Sequence, residues 1–216
     1  MTDPVLEQSQ LIKELRLLQG HIEPLDTEIH QVVAHSREGQ ILTSIPPITP
    51  LAAAVIIATV GNIANFPNAA ALKSYFGWAP TLTQSGTSLD ATRLTPGGNR
   101  PMKKMMFLIV WNAIRMDGEW ASLYQRLVPL KCAYDERTRT YKGKGKVIGR
   151  IAGQMISLMF ALLKTDQEVL SKISPGTEAP SPLLYDPALH RSHREGQYQA
   201  LRKHKPPGKL IQLPKE

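Results

Sequence analysis

A chain of 216 residues has room for one compact domain plus appendages, and 42% hydrophobic residues can bury a real core, which excludes global disorder. No run of about 18 uncharged apolar residues argues for a membrane span, the opening MTDPVLEQ lacks signal-peptide character, and the single Cys132 excludes an internal disulfide. A reducing, cytoplasmic setting is therefore expected. The formal net charge of +8 is unevenly spread. Residues 1–92 carry four Lys/Arg and eight Asp/Glu, residues 93–150 thirteen and four, and residues 151–216 nine and six. One central segment thus supplies the whole excess. Such a concentration is what phosphate binding requires, since each neutralised phosphate releases condensed counterions. An ordinary solvated face is the plainer alternative.

From Val5 to His35 the sequence predicts a helix. Leu11, Leu15, Leu18, Ile22, Leu25, Ile29 and Val32 alternate spacings of four and three, the a/d seam of a coiled coil. Self-association of copies and packing within the chain explain that seam equally well. Pro24 removes one helical hydrogen bond and is expected to kink or split the helix, at about 3 kcal/mol.

The stretch ILTSIPPITPLAAAVIIATVGNIANF predicts a short element, a Pro-rich turn and a buried helix from Leu51 to Val60, with Pro50 near its start and Gly61 as C-cap. That is a helix-hairpin-helix layout, in which backbone N–H groups of the second helix can hold a phosphate. Here Pro47 and Thr49 stand where such turns usually carry glycine, so the motif can equally serve packing alone. Asn68 caps a helix through Tyr75, which Gly77 ends before Pro80. TLTQSGTSLDATRLTPGGN lacks helical periodicity and predicts a loop or loose hairpin. Helices return over PMKKMMFLIVWNAIR and from Trp120 to Leu130. Residues 131–146 read as a mobile basic linker, Val147 to Ser171 as a long apolar-periodic helix, and 174–216 as a poorly ordered, Pro-rich basic tail. The fold class is mostly α, with a coiled-coil-like helix over 1–40 and a compact domain over 41–173.

From Ile41 to Leu170 the order of motifs resembles the C-terminal domain of the IS116/IS110/IS902-type insertion-sequence transposases. SIPPITPLAAAVIIATVGNIANFPNAAALKSYFGWAP, the Ser-Gly of Gln84–Gly86, RLTPGGNRPMKKMM, EWASLYQRL and YKGKGKVIGRIAGQMISLMFALLK carry the likeness, over about three-fifths of the chain. The resemblance implies a DNA recombinase with a RuvC-like N-terminal domain, a coiled coil and a serine-bearing domain, guided in its best-known members by a structured RNA. The carboxylate-held divalent metal of that RuvC-like domain would lie before residue 1, so no cofactor is expected within this chain. DNA is the expected partner, a guide RNA a second one, and the N-terminal helix would join copies into a homo-oligomer.

The same resemblance implies that Ser85 is the nucleophile. A serine hydroxyl that attacks a backbone phosphorus divides strand exchange into two reversible steps, and nearby cations steady the charge on phosphorus. Arg93, Arg100, Lys103 and Lys104 lie just downstream, the arginines being better matched to phosphate. Lys142, Lys144 and Lys146 extend the expected nucleic-acid-binding set. By itself Ser-Gly more often marks a turn. Two departures bear on the site: Pro96 and Gly97 replace a basic pair of the family, and Met102, Lys103 and Lys104 replace its leucine-arginine-arginine, which keeps charge but loses bidentate geometry.

Other constellations read more plainly. His190, His193 and His204 lie in the basic tail without cysteine partners, so no metal site is expected. Asp117 and Glu119 read as helix caps, and Met102, Met105, Met106 and Met116 as core. The expected function is transposition with strand exchange through Ser85. The alternatives are a non-catalytic helix-hairpin-helix nucleic-acid-binding protein, a regulatory remnant of a transposase, or an oligomeric interaction protein built on the heptad helix.

Overall fold

The computed structural model describes residues 4–85, 89–94, 97–116, 118–174 and 176–187. Seven α-helices and two small antiparallel hairpins make up these residues, together with one 3-10 turn, so the fold is mostly α. A unit spanning Met1–Leu184 holds every element; Tyr185–Glu216 forms a second.

The first helix, α1 (Pro4–His35), passes through Pro24 without a break. Proline removes the bond that its N–H would make to the Gly20 carbonyl one turn back, and the helix continues on either side. The expected split is thus corrected. Ser36 then caps α2 (Arg37–Thr43), its Oγ accepting from the Gly39 N–H at 3.0 Å while donating to the Val33 carbonyl at 3.0 Å. A side chain on Gly39 would land on that carbonyl, so glycine is what lets α2 turn so closely off the end of α1.

A turn over residues 44–49 leads to α3 (Pro50–Val60), with Thr49 as N-cap and Gly61 closing it at φ 62°. The layout is helix, turn, helix. At the start of α3, however, Pro50 has no N–H, and Thr49 Oγ1 takes that of Ala52 at 3.3 Å. Little is left there for a phosphate, and Ile41, Leu42, Ile45, Ala53 and Ile56 bury the motif into the core. After a 3-10 turn at Ile63–Asn65, Asn68 caps α4 (Ala69–Tyr75) through Oδ1 and the Ala71 N–H, as its sequence position predicts.

Strands β1 (Pro80–Ser85) and β2 (Leu89–Leu94) form a hairpin, then α5 (Arg100–Arg115) and α6 (Glu119–Lys131) follow. Residues 131–146 are not a featureless linker. They hold the end of α6 and a second hairpin, β3 (Ala133–Asp135) with β4 (Thr140–Lys142). Cross-strand Tyr134 and Tyr141 set their rings edge to face at 5.1 Å, and the Arg137 N–H donates to Asp135 Oδ1 across the turn. Such aromatic pairs favour the ribbon, which strands of three residues hardly announce in sequence.

The last helix, α7 (Gly145–Ser171), is the centre of the domain and packs against α2, α4, α5, α6 and the 3-10 turn. Ile148, Ile151, Ala152, Met155, Ile156, Met159, Leu162 and Leu163 form its buried stripe. By length and composition this helix could also cross a membrane, but its apolar stripe forms the core here. Its one buried charge, Asp166, accepts from Arg37 Nε at 2.7 Å and Nη2 at 2.8 Å. The carboxylate's hydrogen bonds raise the guanidinium pKa above its ordinary value. Arg37 Nη1 also donates to the Pro180 carbonyl at 2.6 Å, which ties part of the Pro-rich segment after α7 to the domain.

Candidate nucleic-acid interface

The base of the first hairpin is held by two glycines distant in sequence. Helix α4 ends as a Schellman motif: Gly77 (φ 73°) donates to Ser74 O at 3.0 Å and Trp78 donates to Lys73 O at 2.8 Å. Beyond the hairpin the chain returns to the same point. A Cβ on Gly98 (φ 93°) would stand 2.5 Å from Gly77 Cα, and the Asn99 N–H donates to the Tyr75 carbonyl at 2.9 Å. Only glycines allow two backbones this close. Asn99 then caps α5, its Oδ1 accepting from the Met102 N–H at 2.9 Å. One crossing therefore sets both where the hairpin leaves the domain and where α5 begins.

That crossing places the expected site residues. Arg100 opens α5, with Lys103 and Lys104 following within its first turns, and the three line one surface depression of about 510 Å³ together with Trp78, Phe107 and Leu108. Ser85 is the last residue of β1, in register with Leu89, whereas Arg93 pairs with Thr81 near the base. Four residues of strand separate Ser85 from that register position, roughly 14 Å at strand rise. The hairpin therefore does not bring Arg93 beside Ser85. Residues 86–88, including Gly86 of the Ser-Gly pair, lie outside the described residues, as do Pro96, His190, His193 and His204.

Lys142, Lys144 and Lys146 form a second group at the end of β4 and the start of α7, all exposed. Lys142 is engaged: its Nζ pairs with Asp135, and that ammonium holds the Asp135 carboxyl below the ordinary carboxylate value. Lys144 and Lys146 sit at a helix N-terminus without an acidic residue in its first turn, where cations oppose the helix dipole. Their position is thus not explained by helix stability. Lys73 differs from all of these. Burial lowers its pKa, and its stem lies against Gly153 of α7.

Phe107, Leu108, Trp111 and Arg115 carry no role legible in the sequence. All four are exposed on α5, and the Phe107 and Trp111 rings stack at 6.2 Å with 14° between planes. The signal was the spacing of four through Lys103, Phe107, Trp111 and Arg115, a row lying off the buried Met102, Met106, Ile109, Val110 and Ala113. Among the described residues no three His, Cys, Asp or Glu side chains gather where a metal ion could be held.

Residues 39–125 match the model of the Transposase IS116/IS110/IS902 family. The chain is also similar to a Streptomyces coelicolor protein described as the insertion element IS110 uncharacterized 43.6 kDa protein, at 34% identity over 154 residues. That alignment covers 71% of this chain and 36% of the relative, so the chain spans about a third of the relative's length.

Proposed function

We propose that this chain is the DNA-handling part of a transposase, acting in DNA transposition by strand exchange through Ser85. The observation that carries this reading is the Gly77–Gly98 crossing, from which the Ser85-bearing hairpin and the cationic start of α5 both emerge. In the reaction the Ser85 hydroxyl attacks a backbone phosphorus. An O–P bond to serine forms, the phosphodiester bond to one deoxyribose oxygen breaks, and that oxygen leaves as a hydroxyl with a proton. Attack by a new deoxyribose hydroxyl reverses the exchange and frees the serine. Arg100, Lys103 and Lys104 neutralise the phosphates of the bound strand, and Lys144 and Lys146 hold a second stretch. Arg93, at the hairpin base, serves phosphates flanking the reacting one. A structured guide RNA, if it joins the complex, would share these surfaces.

Assembly belongs to α1. Leu11, Leu15, Leu18, Ile22 and Leu25 are each more than half exposed, so this part of the heptad seam has no cover among the described residues. Pairing of two α1 seams would bury it and set two hairpins on one DNA junction.

The test is covalent trapping. Incubated with a nicked duplex that prevents religation, the protein should form a denaturant-resistant adduct whose linkage maps to Ser85. Ser85→Ala should abolish the adduct and keep its affinity for intact duplex. An adduct that survives the substitution would refute the assignment of the nucleophile.

A further inference from the structure

The outer face of α5 is unusual in joining two features that seldom coincide. From Arg100 to Arg115 the helix carries four cations, Arg100, Lys103, Lys104 and Arg115, and no acidic residue at all. Along the same side run Phe107 (44% exposed), Leu108 (54%) and Trp111 (42%), with the two rings nearly parallel. A protein partner that buried this apolar strip would also have to desolvate or neutralise the flanking cations. A solvated charged face, for its part, has no use for a stacked aromatic pair left in water. Single-stranded nucleic acid satisfies both, because phosphates take the cations while bases lie on the rings.

We infer that Phe107 and Trp111 form a stacking platform for unpaired bases of single-stranded DNA, with Arg100, Lys103, Lys104 and Arg115 tracking its backbone. The occupant is fixed by charge complementarity and by ring geometry together. Rows of residues spaced by four put Lys103 before Phe107 and Arg115 after Trp111, so cations bracket the rings at both ends. Trp78, which is 5% exposed, contributes to the depression beside Arg100 and Lys103 at the end nearer the hairpin. The inference rests on the DNA-handling reading and adds to it that one strand is held open on α5, with its bases turned to protein rather than to a complementary strand.

The test uses the full chain, an oligothymidylate, an oligouridylate, an abasic strand of the same length and charge, and a duplex. Wild type should bind oligothymidylate more tightly than the abasic strand. The double variant Phe107→Leu/Trp111→Leu keeps apolar surface but loses both rings. It should lose about tenfold or more on oligothymidylate and nothing on the abasic strand. Trp111 is the exposed tryptophan, Trp78 and Trp120 being buried, so intrinsic emission should change with oligothymidylate and not with the abasic strand. Equal affinity of variant and wild type for oligothymidylate would overturn the platform. So would an unchanged oligothymidylate affinity with the variant sedimenting as a smaller species, which would make the face a contact between copies. Tighter binding of oligouridylate would give the platform to RNA and overturn the DNA assignment. Salt-sensitive duplex binding that persists through any of these results would leave the DNA-handling reading standing. Binding to none of these probes at low salt would remove both.

Discussion

Helices α1 and α7 carry nearly the same sequence signal and meet opposite fates. Both are long, and both repeat apolar residues at alternating spacings of three and four. The stripe of α7 is buried from Val147 to Leu163 because α2, α4, α5 and α6 return to it. That of α1 is solvated from Leu11 to Leu25, and Val33 alone is buried, where α2 turns back. Periodicity reports which face wants cover. Whether the cover comes from the same chain depends on the topology around it.

Truncation at matched positions should separate the two helices most strongly. Met155→Ala in α7 should cost about 2–5 kcal/mol, as for other fully buried large-to-small changes. Leu18→Ala in α1 should leave the melting of a dilute monomer within about 0.5 kcal/mol while shifting sedimentation toward the monomer. Similar losses of monomer stability would show that α1 folds back on its own domain. Arg37→Ala comes next. It leaves the 6%-exposed Asp166 carboxylate without its bidentate partner, at about 3 kcal/mol by chemical denaturation. A cost near zero would mean that solvent or the segment around Pro180 replaces the pair.

Smaller again is Gly98→Ala. The new methyl meets Gly77 backbone and requires φ 93° of an alanine, so about 1–3 kcal/mol and a displaced hairpin are expected. Hydrogen exchange of the β1–β2 amides would read the second effect, and unchanged protection would refute the crossing as the hairpin's anchor. The smallest effect concerns Asp135. Its folded pKa lies below the ordinary 3.8, so its contribution is present above that value and fades as pH falls through the lowered one. Lys142 is exposed and Asp135 half-buried at the end of a two-stranded ribbon, so the loss should be small and local. Ring signals of Tyr134 and Tyr141 should broaden or move in acid while the α7 core signals stay. Movement of both sets together would mean global acid unfolding instead.

Much of this architecture was legible in the sequence because it rests on local chemistry. Asn68 and Gly61 cap helices where their positions say they should, and Pro50 and Pro101 stand in first turns. The hairpin over 80–94 follows from a polar Thr- and Ser-rich stretch without helical period. What escaped depends on partners far along the chain or on elements too short for a period. Gly77 and Gly98 are ordinary turn glycines until their backbones cross, and Arg37 reaches Asp166 across a separation of 129 positions. Strands β3 and β4 have three residues each, too few for alternation to register among the lysines and arginines. At the proposed site, Arg100, Lys103 and Lys104 are expected from charge and from family resemblance. Phe107 and Trp111 did not, because an apolar residue in an apolar helix reads as core until the buried face is known.

Whether the cationic start of α5 grips DNA is read from the salt dependence of duplex binding. Wild type should lose affinity steeply as salt rises, and Arg100→Gln/Lys103→Gln/Lys104→Gln should flatten the log–log slope by about 2–3. A triple variant with the wild-type slope, or a wild type whose affinity ignores salt, would mean that the start of α5 does not grip DNA.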